Sequence, residues 1–250
     1  MSNIKLAIII PALNEEQSIG RVIRDIPKDM VFKIVVADNG SRDNTCKVAM
    51  AEGATVVSEP RRGYGSACLS GLAALPPETD IVAFMDADYS DHPEQLRKLL
   101  VAMEEQQADL VIGSRVLGNR QRGSLAPQQR FGNWLSTRMI SLLFGFLYTD
   151  LGPFRMIRFS ALRKLEMQDP NYGWTVEMQV KALQHGLKVV EVPVDYRKRI
   201  GRSKVSGTIT GSFKAGVKIL WTIGKLYING RGCAGVHLPV AGHKKGQIDG

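Results

Sequence analysis

From residue 5 to residue 115 the chain alternates short, continuous apolar runs with stretches of helical periodicity, and few architectures accept that pattern. Residues 5–10, 32–37, 54–57, 81–85 and 109–113 are rich in Ile, Val and Leu, and none shows the alternate polar positions of a strand with one wet face. Strands of that kind are buried on both sides. Between them, Ile19, Val22, Ile23 and Ile26, and later Leu96, Leu99, Leu100 and Met103, recur at the spacing of one helix face. Strand and helix in alternation predict an α/β fold with a mostly parallel central sheet and helices on both faces. Asn14 and Gln17 have capping-box spacing and place the first helix directly after them, while Pro11 closes the first strand and Pro93 stands in the first turn of a later helix.

Ligands of open α/β sheets collect at the carboxyl ends of the strands. In this chain those ends are polar: Pro11-Ala12-Leu13-Asn14-Glu15, Asp38, Asp86-Ala87-Asp88-Tyr89-Ser90-Asp91 and Ser114-Arg115. Asp86 and Asp88 are close enough to repel unless a cation lies between them, and oxygen ligands suit a hard divalent ion. Alone, the pair describes a solvated turn ahead of the helix at Pro93. Its place among several polar strand ends favours a metal-chelated diphosphate. Gly63 and Gly65 either let the backbone approach a ligand or make the turn. No G-x-G-x-x-G follows the first strand, which argues against a dinucleotide fold.

Beyond residue 115 the pattern changes. Residues 118–129 read as a polar loop, and 130–148 as a helix so apolar that burial is expected, with a monotopic membrane contact as the alternative. Strands are expected over 154–158 and 187–192, and a helix from Gly173 to Gln184. Residues 214–228 interleave Lys with Val, Ile, Leu, Trp221 and Tyr227, which fits an interfacial amphipathic helix or one docked on its own domain. No run reaches the roughly 20 apolar residues of a membrane span. The 250 residues divide as 1–207, a basic amphipathic helix at 208–230, and a loose tail at 231–250.

Charge sharpens this division. The chain carries a net charge of +9, and residues 197–231 hold nine basic residues and no acid, enough to account for the whole excess. A localised patch suits substrate phosphates, an anionic membrane surface or nucleic acid. The absence of zinc spacing, RNA-binding signatures and helix-turn-helix cues argues against nucleic acid as a partner. Cys46, Cys68 and Cys233 form neither a disulfide framework nor a zinc pattern, which fits a cytoplasmic protein.

The segments IIIPALNEE, VVADNGSRDNT, GYGSACLSGL, FMDADYSDHPEQL, GSR, TDLGPFR and GRSKVSG, in this order, resemble the family 2 inverting glycosyltransferases of GT-A fold, most of all the polyprenyl-phosphate (dolichol-phosphate) sugar transferases. The resemblance implies a nucleoside held by Pro11, Ala12, Asn14, Glu15 and Asp38. Asp86 would meet the ribose or the metal, Asp88 would ligate Mg²⁺ or Mn²⁺, and Ser90 would lie beside that ion. Arg115 and Arg130 match positions that receive an acceptor phosphate. Arg199, Arg202, Ser203 and Lys204 fall in the basic loop that closes on the diphosphate, with Lys198 where Arg is usual and Arg197 and Arg199 flanking it.

The expected reaction is metal-dependent hexose transfer from a UDP- or GDP-sugar to a polyprenyl phosphate, by a peripheral protein on the inner face of a membrane. A phosphate acceptor is already a dianion near neutral pH. A soluble hydroxylated acceptor, the alternative, needs a carboxylate base, for which Asp150 and Glu177 are the candidates. Asn39, where many members carry a second Asp, removes one carboxylate, and Gly-Pro before Phe154 is a further departure.

Overall fold

The structure, a computed structural model, describes residues 4–201 and 209–230. Its centre is a seven-stranded sheet in the order β3-β2-β1-β4-β6-β5-β7. The strands are β1 (Leu6–Ala12), β2 (Val31–Asp38), β3 (Thr55–Ser58), β4 (Ile81–Phe84), β5 (Leu110–Ser114), β6 (Arg155–Arg158) and β7 (Val189–Pro193). All pair in parallel except β6, which runs antiparallel between β4 and β5. The helices are α1 (Ile19–Asp25), α2 (Thr45–Ala51), α3 (Tyr64–Ala73), α4 (Leu96–Glu105), α5 (Pro127–Phe144), α6 (Phe159–Leu165), α7 (Trp174–Gln184) and α8 (Ile209–Gly230).

The continuous apolar runs fill both faces of this sheet. Ile8 and Ile10 of β1 join α1 and α4 in one core, while Ile9 points the other way into a second core with Phe84, Ile112 and residues of α5 to α8. Successive strand residues face opposite ways, so a strand at the centre of such a sheet needs an apolar residue at every position.

Three local expectations are corrected. Pro11 does not end the first strand but lies within β1, paired in register with Ala37. Pairing of β1 with β4 stops at Ile9 and Phe84, and Pro11 falls on that vacated side, where no ladder bond needs its missing N–H. Asn14 does not cap a helix. Its φ of +52° is left-handed, its side-chain oxygen accepts from Arg42 N at 2.8 Å, and α1 begins only at Ile19. The run at 130–148 is not a buried helix. α5 starts at Pro127, stops at Gly145 with φ +73°, and buries only Ser136, Thr137 and Ile140. Phe131, Trp134 and Leu142 are exposed, Leu142 to 85%.

α8 combines both readings of its sequence. Ile219, Thr222, Ile223 and Leu226 turn inward, where α8 packs on α5 and α7 and Tyr227 meets Phe144 edge-on. Val217, Trp221 and Ile228 face outward. Residues 231–250, the expected tail, lie outside the described residues, as do Arg202, Ser203 and Lys204. No helix among the described residues is long and apolar enough to cross a membrane.

Candidate active site

The carboxyl ends of β1, β4 and β5 open into a cavity of about 560 Å³ whose walls include Pro11, Ala12, Glu15, Asp86, Asp88 and Arg115. The loops around it are stapled before any ligand arrives. Glu15 N donates to Thr45 Oγ1 (2.8 Å) and Asn14 N to Ser41 Oγ (2.9 Å), so the exits of β1 and β2 form one rim. Asp38 does not line the cavity. Its carboxylate accepts from Gly40 N and Ser41 N and shapes the turn beneath the rim. Asn39 extends this bracing: its amide donates to Glu59 O and Arg61 O while its oxygen accepts from Gly63 N. An ionised carboxylate could not make the first two bonds.

Gly63 and Gly65 face the chain itself. A Cβ on Gly65 would lie 1.8 Å from Asp169 O, and one on Gly63 would lie 2.1 Å from Pro170 O. The close approach these glycines permit is therefore between α3 and residues 169–170. Glu177 belongs to the same bracing. Its carboxylate accepts from Gln168 N, Asp169 N (2.7 Å) and Lys181 Nζ (2.8 Å), and it does not line the cavity, so it orders a loop rather than facing an acceptor as a base.

The turn after β4 concentrates negative charge. Asp86 N donates to Asp91 Oδ2, and Tyr89 sits at φ +64° with Arg197 stacked on its ring. Asp88 Oδ1 accepts from Ser90 N and from Ser90 Oγ, and Arg199 pairs with Asp88 Oδ2. Burial, then the neighbouring Asp88, pushes the Asp86 carboxyl up to about 8 and that of Asp91 up to about 7. Asp91 Oδ1 is buried with no hydrogen-bond partner. Such a cluster is short of positive charge, and a divalent cation with oxygen ligands fits it. No three Asp, Glu, His or Cys side chains among the described residues form a cage for it. Asp86 and Asp88 are the carboxylates of this turn that line the cavity. Ser90, expected beside the ion, is buried with its hydroxyl committed to Asp88. It braces the Asp88 carboxylate.

The same contacts sort the basic segment. Arg197 donates to Tyr89 O (2.6 Å) and Asp91 O (3.1 Å), so it clamps the turn. Arg199 lines the cavity and reaches Asp88.

A second cavity, about 670 Å³, adjoins the first and shares Arg115, Gln129 and Asn133 with it. Its other walls include Arg120, Arg130, Arg138, Phe131, Trp134 and Leu147, and no acid lines it. Arg120, Arg130 and Arg138 make no ion pair among the described residues. Asp150 lines neither cavity. It accepts from Arg115 N, Nε (2.7 Å) and an η nitrogen (2.7 Å). Burial works to raise its pKa, but the Arg115 guanidinium and these bonds outweigh burial and leave it lowered. A carboxylate so committed is a poor base. It fixes Arg115 where the two cavities meet, and Arg115 in turn lies over the Tyr196 ring.

Several residues here carry no sequence signal that singles them out. Asn133 bridges the 149–151 loop, donating to Thr149 O (3.0 Å) and accepting from Leu151 N (2.9 Å). Gln129 and Asn133 stand one turn apart on α5, and that polar spacing in an apolar helix was the available clue. Tyr64, Tyr196 and residues 215, 216 and 219 of α8 also line the first cavity, which only tertiary packing brings together.

The model of Glycosyl transferase family 2 matches residues 7–166. An uncharacterized glycosyltransferase of Mycobacterium bovis is 38% identical, covering 86% of this chain and 96% of the relative. A dolichyl-phosphate hexose transferase of Haloferax volcanii is 32% identical, covering 80% and 86%. Among solved structures, glucosyl-3-phosphoglycerate synthase from Mycobacterium tuberculosis, in complex with Mn²⁺, UDP-glucose and phosphoglyceric acid, superposes with a TM-score of 0.71 at 24% identity, over 89% of this chain and 79% of that one.

Proposed function

We propose that this chain, which belongs to glycosyl transferase family 2 and is a glycosyltransferase, moves a hexose from a UDP- or GDP-sugar to a polyprenyl phosphate at a membrane surface. The observation that carries this reading is the second cavity, whose charged walls are all arginine and whose remaining walls are largely apolar. A lipid phosphate has both halves of that chemistry. An alcohol acceptor would find no carboxylate in that cavity, because Asp150 is held by Arg115 and Glu177 by the 168–169 backbone.

The donor's nucleoside would lie along Pro11, Ala12 and Glu15, its diphosphate towards Asp86, Asp88 and Arg199. Mg²⁺ or Mn²⁺ at Asp86 and Asp88, when bound, supplies Lewis-acid stabilisation of the diphosphate that leaves. The relative with a dolichyl-phosphate name and the neighbour solved with Mn²⁺ and UDP-glucose support these assignments. Arg115, at the shared wall, and Arg130, in the second cavity, would hold the acceptor phosphate. A phosphate oxygen then forms the new bond to the sugar's anomeric carbon as the bond to the diphosphate breaks on the opposite side, which inverts the centre. The dianion needs no base, so no proton has to be removed.

The outer faces of α5 and α8 fit the same acceptor. Trp134, Leu142, Trp221 and Ile228 are exposed beside Arg138 and Lys225, the composition of a surface that rests in the headgroup layer of an anionic bilayer. The second reading, a water-soluble phosphorylated acceptor, draws on the arginines alone and on the phosphoglycerate neighbour.

The test is transfer from radiolabelled UDP- and GDP-hexoses, with Mn²⁺, to undecaprenyl phosphate and, in parallel, to phosphoglycerate. Label is expected in a product with lipid mobility on chromatography. Label only in water-soluble product would overturn the lipid assignment.

A further inference from the structure

Residues 195–200 are held from two sides, and what they join is the acidic turn of the first cavity and the wall of the second. Towards the turn, Arg197 N donates to Ser90 O (3.0 Å), Ile200 N donates to Asp88 O (2.9 Å), and Arg199 pairs with Asp88. Towards the second cavity, Tyr196 N donates to Asn119 O (2.9 Å) and Asn119 N to Asp195 Oδ1 (3.2 Å). Gln121 is bonded to this segment twice. Its N–H donates to Tyr196 O (2.8 Å), and its side-chain oxygen accepts from Lys198 N (2.8 Å). At Gly118 a Cβ would fall 2.0 Å from Val194 O, so the two segments meet backbone to backbone. The stretch 116–125 delivers Val116, Arg120 and Leu125 to the second cavity.

We infer that Gln121 is a positioning residue that couples donor loading to the shape of the acceptor groove; this rests on the function proposed above. Asp88 Oδ2 pairs with Arg199, and it could not serve that guanidinium and a divalent ion equally. With a diphosphate in the cavity, Arg199 would exchange the Asp88 carboxylate for the phosphate oxygens. The backbone around Arg199 follows, and its bonds to Gln121 carry the displacement to Arg120 and the groove wall. Coupling between two binding sites is reciprocal, so an occupied groove also tightens the donor site. The sugar then meets a groove already set for its acceptor, which limits loss of the donor to water.

Amide hydrogen exchange on the full-length protein tests this, with UDP and GDP, each with Mn²⁺, as probes. In the wild type a bound nucleotide is expected to slow exchange at 86–91 and 195–200, and also at 118–125, which the cavity that takes the nucleotide does not include. Gln121→Leu, which keeps the backbone bond and loses the side-chain one, is expected to keep the first two responses and lose most of the third. Gln121→Glu, whose carboxylate still accepts from Lys198 N, is expected to restore it. In turnover, Gln121→Leu should raise KM for undecaprenyl phosphate roughly five-fold, the size expected for one hydrogen bond, with kcat little changed and nucleotide affinity measured alone unaltered. Protection at 86–91 and 195–200 without any at 118–125 in the wild type would overturn the coupling. So would full transmission in Gln121→Leu. Failure of both nucleotides to protect 86–91 would instead remove the donor reading, and the inference with it.

Discussion

The two cavities share a wall but are built by different means. The first is made of strand ends, where β1 and β4 are fixed by ladder bonds up to the residues that line it, and it sets Glu15, Asp86 and Asp88 among Arg62, Arg115 and Arg199. The second is made of α5 and the 116–126 loop, and its charge is basic. The contrast teaches where rigidity is needed. A cluster of carboxylates that repel one another keeps its geometry only when the backbone is overdetermined, whereas guanidinium groups on a helix and a loop can adjust to an anion. Arg115, held by Asp150, lies on the boundary and lines both cavities.

That contrast can be broken most severely at the acidic end. Asp88→Ala should lower metal-dependent turnover by about 10³-fold or more while the circular dichroism spectrum and melting cooperativity stay those of the wild type. Near wild-type turnover with added Mn²⁺ would show that the acids do not carry the donor.

At the boundary, Asp150→Ala leaves the Arg115 charge with no partner in a buried setting and should cost about 3 kcal/mol of stability by urea unfolding at neutral pH. Its pH dependence follows from the sign of the shift. The folded-state pKa is lowered, so the stabilisation is complete above the unfolded carboxylate range near about pH 4 and is lost as pH falls through the folded value. Wild type and variant should converge in acid. A gap that persists undiminished would mean Asp150 stabilises by packing alone.

A smaller effect belongs to the basic end. Arg130→Ala should raise KM for undecaprenyl phosphate by roughly 10- to 50-fold, about 1.4 to 2.3 kcal/mol, and leave binding of UDP with Mn²⁺ unchanged in calorimetry. Equal losses for donor and acceptor would erase the division between the cavities.

The mildest test concerns bracing. Asn39→Asp removes the donors to Glu59 O and Arg61 O without adding a ligand to the cation site, and should lower stability by about 1 to 2 kcal/mol in thermal unfolding. A gain in metal affinity would contradict the structural role given to this amide.

Much of this site was legible because its residues sit at strand ends, and strand ends can be counted. Pro11, Ala12, Glu15, Asp86, Asp88 and Arg115 all reach the first cavity. Asp38, Ser90 and Glu177 also belong to the region but face inward, since an acid or hydroxyl in a loop is as useful for tying down backbone N–H groups as for meeting a ligand. Their spacing is the same in either case. The antiparallel β6, the short helix α6 and the outward face of α5 were not legible for a related reason. Direction and exposure are settled by neighbours far along the chain.

By itself the sequence determined the alternation of strand and helix, the polarity of the strand ends and the concentration of the excess positive charge in the segment after residue 196, because these depend on local periodicity and composition. Only the tertiary structure decided which of the arginines are spent on the protein and which remain for a ligand. Arg197 and Arg199 stand two residues apart in one basic run, yet one is stacked on Tyr89 and bonded to backbone while the other reaches Asp88. The physical reason is that a charge does its work through whatever lies within a few ångströms of it, and for these two residues that surrounding comes from the turn after β4, more than a hundred residues earlier in the chain.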